Sequence, residues 1–303
     1  MNTTTSLLAR MRPRPITGCA VLAAMAALLP ATASAAVIIH DDFTTVTSSG
    51  KPAAAAATTD NTGLTGNHWF FRDYAYYDAG SDRIISSNTG GKAGGAISTG
   101  TTLSALTAGI IEVSGKYVIN NEALHSGDIG NGVVPVDWVA VGFLAGTISD
   151  SSDINATNSG LLWAIVRPDG RWTLFTNGTT TTLADSTSST QLPAFPASTT
   201  SSVTYTDITV KYDLDTKAAA LFVNGANVSG WISYDLNLAT TSITGAGFKI
   251  WAASGSQPRT ATLNEFTVSA SSFAIPEPAT TALLAGGIVL ALLAAKNHRH
   301  TIR

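Results

Sequence analysis

The carboxylates are the side chains from which a catalytic site would most readily be built, yet few of them are paired along the chain. Carboxylates at alternate positions of a β-strand share one face of a sheet, an arrangement that suits the acid and nucleophile of a glycosidase. None of the four glutamates has a carboxylate two residues away; they are Glu112, Glu122, Glu265 and Glu277. Asp213 and Asp215 have this spacing, but they lie where a strand meets a turn, which favours a turn-capping role. The sequence therefore predicts a protein that is not an enzyme.

Metal ligands are no better grouped. His40, His68 and His125 are scattered, with no partner at ligand spacing, so no zinc site is predicted, and a Ser-His-Asp triad has no local signature. The oxygens of Asp150–Asn155 and of Asp41-Asp42 could bind calcium, but neither stretch matches a defined calcium loop. A solvated polar turn is the preferred interpretation. We expect no cofactor, with structural calcium as the alternative.

Aromatic residues offer a third kind of chemistry, because their ring faces pack against the apolar faces of sugar rings. Residues 69–77 contain six aromatic side chains, and two tryptophans, Trp138 and Trp163, follow in later apolar runs. The candidate glycan-binding residues are Trp69, Tyr74, Tyr76 and Trp138. Burial in a hydrophobic core is the preferred interpretation of the same side chains, because large aromatics in a disulfide-free domain are usually buried.

Short strands separated by turn residues must position these side chains, and no convincing helix is found between Ala36 and Ser272. Runs of β-branched and aromatic residues bounded by Gly, Asn, Asp and Pro are typical of strands. A dozen or more such runs predict an all-β sandwich. The predicted strands are 37–43, 83–87, 95–99, 110–119, 137–144, 161–166, 171–175, 179–183, 207–214, 218–223, 230–235, 247–252 and 262–268.

Two strands carry patterns that predict their place in the sheets. Residues 137–144 are largely apolar on both faces, which indicates a central strand of a two-layer structure. In 207–214 the apolar residues alternate from Ile208 to Leu214, which indicates one buried face. Turns are predicted at Pro168-Asp169-Gly170, at 215–217 and at Asn224-Gly225.

The first 35 residues have the features of a signal peptide. Three arginines precede an apolar stretch at 16–29, and Ala33-Ser34-Ala35 supplies the small residues before a cut at Ala36. Cys19, the chain's single cysteine, lies inside this segment. The mature protein would therefore contain no thiol. The chain is predicted to be exported and to be cleaved by signal peptidase.

The last residues combine two prolines, an apolar segment and a basic tail. Pro276, Glu277 and Pro278 are followed by 279–295, which carry no charge, and then by a basic tail that begins at Lys296. Seventeen residues of helix cover about 26 Å, slightly less than a hydrocarbon core of about 30 Å. A short transmembrane helix with its basic tail on the cytoplasmic side is predicted.

Charge narrows the range of partners. All 20 acidic residues lie between Asp41 and Glu277, whereas six of the 17 basic residues lie in the two terminal segments. Eleven basic residues against 20 acidic ones leave the mature segment at −9. Nucleic acids and anionic lipid surfaces require basic patches, so neither is expected as a partner of the domain.

The C-terminal arrangement resembles the PEP-CTERM sorting signal of Gram-negative bacteria. The resemblance covers about the last 30 residues: a Pro-Glu-Pro box, one hydrophobic segment and a short basic tail, in that order. It implies recognition and cleavage by an exosortase near Pro276-Glu277-Pro278. It also implies a first stage anchored in the inner membrane and a destination at the cell surface or in an extracellular matrix rich in exopolysaccharide.

The middle of the chain resembles the jelly roll of concanavalin-like and laminin-G-like domains. A Tyr-Asp strand end at Tyr212-Asp213 is followed by a strand that ends in Asn224-Gly225. Asp42-Phe43 and the run around Phe266 fit the adjacent first and last strands of that fold. The predicted organisation is a signal peptide at 1–35, a β-sandwich at 36–270 and a sorting segment at 271–303.

These features together predict an exported, exosortase-processed protein with a structural or adhesive role within exopolysaccharide or biofilm. A lectin-like module that binds a glycan is the alternative. A polysaccharide hydrolase or lyase is the third hypothesis, and it would require an acidic pair within about 5–10 Å in a concave cleft.

Overall fold

Sixteen β-strands make up the part of the chain that the computed structural model describes, and no helix occurs in that part. The described residues are 36–43, 69–73, 75–78, 82–86, 92–119, 138–149, 151–157, 159–178, 181–195, 205–239, 241–251 and 261–271. They belong to one compact unit. Within these ranges no helix is long and apolar enough to cross a membrane, and the span predicted at 279–295 lies outside them.

The strands are numbered in chain order. They are β1 (Ala36–Asp41), β2 (Trp69–Asp73), β3 (Ala75–Asp78), β4 (Arg83–Ser86), β5 (Lys92–Ser98), β6 (Ile110–Ile119), β7 (Trp138–Ala145), β8 (Gly160–Val166), β9 (Trp172–Thr176), β10 (Thr181–Asp185), β11 (Tyr205–Asp213), β12 (Ala218–Val223), β13 (Ala226–Asn227), β14 (Ile232–Ser233), β15 (Ile243–Trp251) and β16 (Ala261–Ser271).

Two antiparallel sheets contain all of these strands. The seven-stranded sheet has the order β10-β9-β8-β7-β15-β5-β2. The nine-stranded sheet has the order β13-β12-β11-β6-β16-β4-β3, with β14 pairing β12 and β1 pairing β16. The predicted all-β sandwich is confirmed, and the first and last strands are neighbours, as the sequence predicts.

The core lies between the sheets and is formed by alternate side chains of each strand. In β11, Ile208, Val210 and Tyr212 are at most 1% exposed, which confirms the predicted buried face. A hydrogen bond also crosses the core: the Tyr117 hydroxyl on β6 donates to the carbonyl of Ala140 on β7 at 2.8 Å. Because both groups are buried, this bond satisfies two polar atoms that would otherwise destabilise the fold.

Strand β7 lies in the middle of the seven-stranded sheet, between β8 and β15, as its two apolar faces predict. Its inward side chains, Val139, Val141 and Phe143, belong to the main core. Its outward side chains, Ala140 and Leu144, belong to a second buried cluster. That cluster includes Trp163 and Ile165 of β8 and Ile154 of the loop between β7 and β8. The outer face of this sheet is therefore apolar and partly covered.

The predicted turns are present. Asn224 and Gly225 join β12 to β13 with φ values of 49° and 76°, a conformation that Asn and Gly adopt with little strain. The Asp213 carboxylate accepts the backbone N–H groups of Asp215 and Thr216 at 2.9 and 3.1 Å, so this residue caps a turn.

The strand predicted at 230–235 is much shorter in the structure. Only Ile232–Ser233 pair, with Ala219 and Ala218 of β12. Trp231 is instead 44% exposed, and the N–H of Tyr234 donates to the carbonyl of Lys217 in a turn. The hydrogen bond from Tyr234 to that turn takes the place of further pairing between residues 230–235 and β12.

Candidate functional site

Trp69 is part of the core and not of a surface. It is 1% exposed, and its ring packs edge-on against Phe248 and Phe266 at centroid distances of 5.5 and 4.9 Å. No face of this ring is available to a sugar. Among the other candidates, Tyr74 lies outside the described residues, and Tyr76 is described only as part of the backbone of β3.

Trp138, in contrast, lies on the outer face of the seven-stranded sheet and is half-buried. It is paired across the strands with Trp251 of β15, which is also half-buried. The two rings are nearly parallel, with an interplanar angle of 16° and centroids 5.7 Å apart. Trp251 has no distinguishing signal in the sequence, because only the register of β7 and β15 brings it beside Trp138.

The two tryptophans continue into a row of rings across four neighbouring strands. Trp138 is 6.0 Å from Trp163 of β8, which stacks on Phe175 of β9 at 4.6 Å. We call Trp251, Trp138, Trp163 and Phe175 the aromatic strip. Its length, from the spacing of strands, is about 14 Å. Trp163 is fixed by a hydrogen bond from its indole N–H to the carbonyl of Gly178 at 2.6 Å, so it supports the half-buried rings beside it.

Beside the strip, a buried ion pair attaches the loop after β7 to β15. The ammonium group of Lys249 lies 2.5 Å from the Asp153 carboxylate and 3.0 Å from the side-chain oxygen of Asn155. Lys249 is 5% exposed, and its ammonium group is 5.9 Å from the centre of the Trp251 ring. The interpretation of 150–155 as a solvated turn is therefore wrong for Asp153, because its carboxylate is paired inside the protein.

This ion pair also bears on the calcium alternative. The oxygens of Asp153 and Asn155, which the sequence offers to a metal, contact the lysine ammonium group instead. Asp41, the other acidic candidate, accepts hydrogen bonds from the N–H of Phe43 at 2.8 Å and from the indole N–H of Trp69 at 2.7 Å. Among the described residues, no three His, Cys, Asp or Glu side chains are grouped as metal ligands would be.

The described glutamates are held by basic neighbours on the outer face of the nine-stranded sheet. Glu112 pairs with Lys211 at 2.7 Å. Glu265 pairs with Lys116 at 3.3 Å and lies 3.7 Å from the imidazole of His40. Glu122 and Glu277 lie outside the described residues.

The processing motifs lie almost wholly outside the described residues. Ala33, Ala35, Pro276, Glu277 and Pro278 are not among them. Ala36, the residue after the predicted cut, is the first residue of β1 and pairs with Ala270 of β16.

Comparison with known proteins finds similarity at the level of structure only. No protein-family model matches the chain, and no curated protein matches it. Among solved structures, the lectin II from Ulex europaeus is 13% identical, with a TM-score of 0.44, over 70% of this chain and 94% of that one. The lectin UEA-II complexed with galactose is 15% identical, with a TM-score of 0.42, over 67% and 93%.

A third similar structure is the potassium-bound carbohydrate recognition domain of Emp46p. It is 13% identical, with a TM-score of 0.41, over 66% of this chain and 87% of that domain. Similarities of this size do not identify a ligand for this chain. The function is therefore inferred from the chemistry of its own surface.

Proposed function

We propose that this chain is an exported protein whose β-sandwich, a jelly roll of the concanavalin type, binds a neutral glycan at the half-buried rings of the aromatic strip. The observation that carries the proposal is the pair of half-buried, nearly parallel rings of Trp138 and Trp251 on the outer face of a sheet. Half-buried indole rings at such a position can pack against the C–H faces of pyranose units.

The support beneath the rings favours recognition by a preorganised surface. Trp163 is 2% exposed and hydrogen-bonded, and it contacts both Trp138 and Phe175. The ammonium group of Lys249, held by Asp153, lies 5.9 Å from the centre of the Trp251 ring. Because these side chains are already fixed, binding would order little of the protein and lose little conformational entropy.

The charge of the domain selects among glycans. The mature segment carries −9, so an anionic polysaccharide would be repelled, whereas a neutral one would not. The described carboxylates that the sequence singles out are paired with lysines or hydrogen-bonded in turns, which favours binding over hydrolysis.

Alanine substitutions of Trp138 and Trp251 test the proposal. Stacked aromatic contacts contribute about 0.5–1.5 kcal/mol each beyond area burial, so each single variant should bind a neutral polysaccharide about twofold to twelvefold more weakly. The double variant should lose most of the binding. Affinity electrophoresis through gels that contain dextran, galactomannan, soluble β-glucan or alginate provides the measurement.

Trp231→Ala is the matched control. Trp231 is 44% exposed and contacts Phe222 next to the nine-stranded sheet, so its removal changes an exposed indole away from the strip. This variant should bind like the unmodified chain. Equal retardation of the unmodified chain and the Trp138→Ala, Trp251→Ala double variant in every gel would reject glycan binding at the strip.

We further propose that the chain is delivered to the cell surface or extracellular matrix by its C-terminal segment. Pro276-Glu277-Pro278, the apolar residues 279–295 and the basic tail resemble a PEP-CTERM signal, and the signal peptide predicted at 1–35 would start export. In this proposal signal peptidase and an exosortase process the chain. A glycan-binding domain released or retained there would act as an adhesive component of exopolysaccharide.

A further inference from the structure

A cavity of about 340 Å³ opens at the end of the sandwich that is remote from Trp138 and Trp251. It lies beside the ends of β5 and β11 and the start of β15, whereas Trp138 and Trp251 are the first residue of β7 and the last of β15. The eight residues of β7 separate the two ends by about 23 Å. The cavity is therefore a separate feature from the aromatic strip.

The floor of the cavity is aliphatic. Leu103 and Ile243 are at most 2% exposed, and Leu106, Leu214 and Leu238 are half-buried and pack against the core. The hydroxyl group of Tyr212 is already used, since it donates to the carbonyl of Tyr234 at 3.2 Å and accepts the N–H of Leu236 at 3.3 Å. A ligand would thus meet hydrocarbon at the bottom of the cavity.

The rim of the cavity is polar and carries one ion pair. The ammonium group of Lys217 lies 2.5 Å from the carboxylate of Asp235, and the two side chains are 58% and 51% exposed. Their hydrogen bond raises the pKa of Lys217 and lowers the pKa of Asp235, so both remain charged at neutral pH. Serine and threonine hydroxyls and the amide of Asn237 complete the rim.

The rim is also held in an unusual backbone conformation. Lys217 and Asn237 both have a φ of 52°, a region that costs a residue with a side chain about 1 kcal/mol or more. The Asp235 carboxylate holds both residues, because it also accepts the N–H of Asn237 at 2.8 Å. One carboxylate therefore contacts both of the residues that have this conformation at the mouth.

We propose that this cavity binds a small neutral amphiphile, with an aliphatic body on the leucine floor and a hydroxylated head at the Lys217–Asp235 pair. The volume lies within the range of about 300–1,000 Å³ that is usual for small-molecule sites. A neutral hydroxyl can accept from the ammonium group and donate to the carboxylate without breaking their pair. An anionic or cationic head would have to compete with one of the two partners.

Titration with alkane-1,2-diols tests the proposal on the purified chain. Calorimetry should show affinity rising about fourfold with each methylene from butane-1,2-diol to octane-1,2-diol, because each buried methylene contributes about 0.8 kcal/mol. Octanoate and octylammonium should bind at least threefold more weakly than octane-1,2-diol. Equal or tighter binding of either ion would overturn the assignment of a neutral head.

A rim substitution distinguishes the cavity from other apolar surfaces. Ala239 is exposed and lines the mouth, so Ala239→Trp should reduce octane-1,2-diol affinity tenfold or more, whereas Ala239→Ser should leave it unchanged. If Ala239→Trp does not fold, Ser242→Trp, at another exposed rim position, replaces it. No detectable diol binding by the unmodified chain, or undiminished binding by the folded tryptophan variant, would overturn the proposal.

The two proposed sites can be tested independently of each other. Ala239→Trp should leave polysaccharide retardation unchanged, and the Trp138→Ala, Trp251→Ala double variant should bind octane-1,2-diol normally. Loss of diol binding in that double variant would show that the diol occupies the aromatic strip, and the cavity assignment would be wrong.

Discussion

The buried carboxylate of Asp41 is placed to make folding depend on pH. It is 3% exposed at the end of β1, where it accepts hydrogen bonds from the N–H of Phe43 and the indole N–H of Trp69. Burial raises its pKa from 3.8 to about 6, because the two hydrogen bonds only partly offset the loss of hydration of the charged form.

The free energy of unfolding should therefore fall as pH rises through this range. The folded state holds the Asp41 proton more tightly than the unfolded chain, so the stabilisation is complete below about pH 4 and is lost as pH passes about 6. A shift of this size corresponds to about 3 kcal/mol. Urea unfolding at intervals between pH 4 and 7 measures the slope, and Asp41→Asn should remove this component of it.

Asp213→Asn provides the control for this prediction. Desolvation raises the pKa of Asp213, but the hydrogen bonds from Thr216 and Asp215 together outweigh it and hold the pKa below its ordinary value, so the contribution of Asp213 is lost only at lower pH. Between pH 5 and 7 this variant should keep the slope of the unmodified chain. The role given to Asp41 would be wrong if Asp41→Asn kept that slope too.

Residue type alone does not distinguish Trp69 from Trp138. Both lie in apolar stretches, but Trp69 points into the sandwich and Trp138 points out of it. Alternation resolves the two faces of a strand only where one face is polar, as in β11, where Ile208 and Val210 are buried as predicted. In a strand that is apolar on both faces, packing against the second sheet decides which face points into the core. The local sequence does not contain that information.

At the scale of elements, the loop after β7 is held on the sheet by side chains that come from distant parts of the chain. Ile148 and Ile154 lie over Gly245 and Gly247 of β15, where a β-carbon would come within 2.6 and 3.1 Å of them. Lys249, two residues further along, binds Asp153. A charged residue in an otherwise apolar strand was a signal of this attachment, but its partner could not be predicted without the pairing of β15 with β7.

Breaking this attachment on one side should be costly. Lys249→Met leaves the Asp153 carboxylate poorly hydrated and without its cation, which should reduce the free energy of unfolding by about 3–5 kcal/mol. Adding Asp153→Leu removes the remaining charge and should restore much of the loss. Chemical denaturation of the single and double variants measures both effects.

Lys116→Met is the comparison at an exposed pair. Lys116 and Glu265 are 38% and 36% exposed in their side chains, so this substitution should cost less than about 1 kcal/mol. A loss in Lys249→Met as small as that in Lys116→Met would show that the buried pair does not stabilise the loop.

At the scale of the whole molecule, the order of strands could be predicted only in outline. The sandwich, the central position of β7 and the turn at Asn224-Gly225 follow from local patterns and are present in the structure. The aromatic strip and the end cavity do not follow from them. Each is assembled from strands that are far apart in sequence. The strip depends on the pairing of β7 with β15, and the cavity on the packing of β11 in one sheet near β15 in the other, and both are properties of the folded chain.

The sorting role that we propose for residues 271–303 makes a prediction for the whole chain. Replacing Pro276, Glu277 and Pro278 with alanine should abolish exosortase processing, so the variant should keep its unprocessed size and accumulate in the inner-membrane fraction. Immunoblots of cell fractions provide the measurement. Thr280→Ala with Thr281→Ala, next to the box within the apolar segment, should be processed normally. Identical size and distribution of the box variant and the unmodified chain would remove the sorting role.

The pairing of β1 with β16 has a mechanical consequence. Ser271 and Ala36 leave the sandwich at the end where the cavity lies, and Trp138 lies at the opposite end. If a glycan is bound at Trp138 while the C-terminal segment pulls on Ser271, the force acts along the length of β16. That strand is bonded to β6 from Ala261 to Ser271 and to β1 and β4 on its other side, so it would have to slide past three neighbours at once instead of separating one bond at a time.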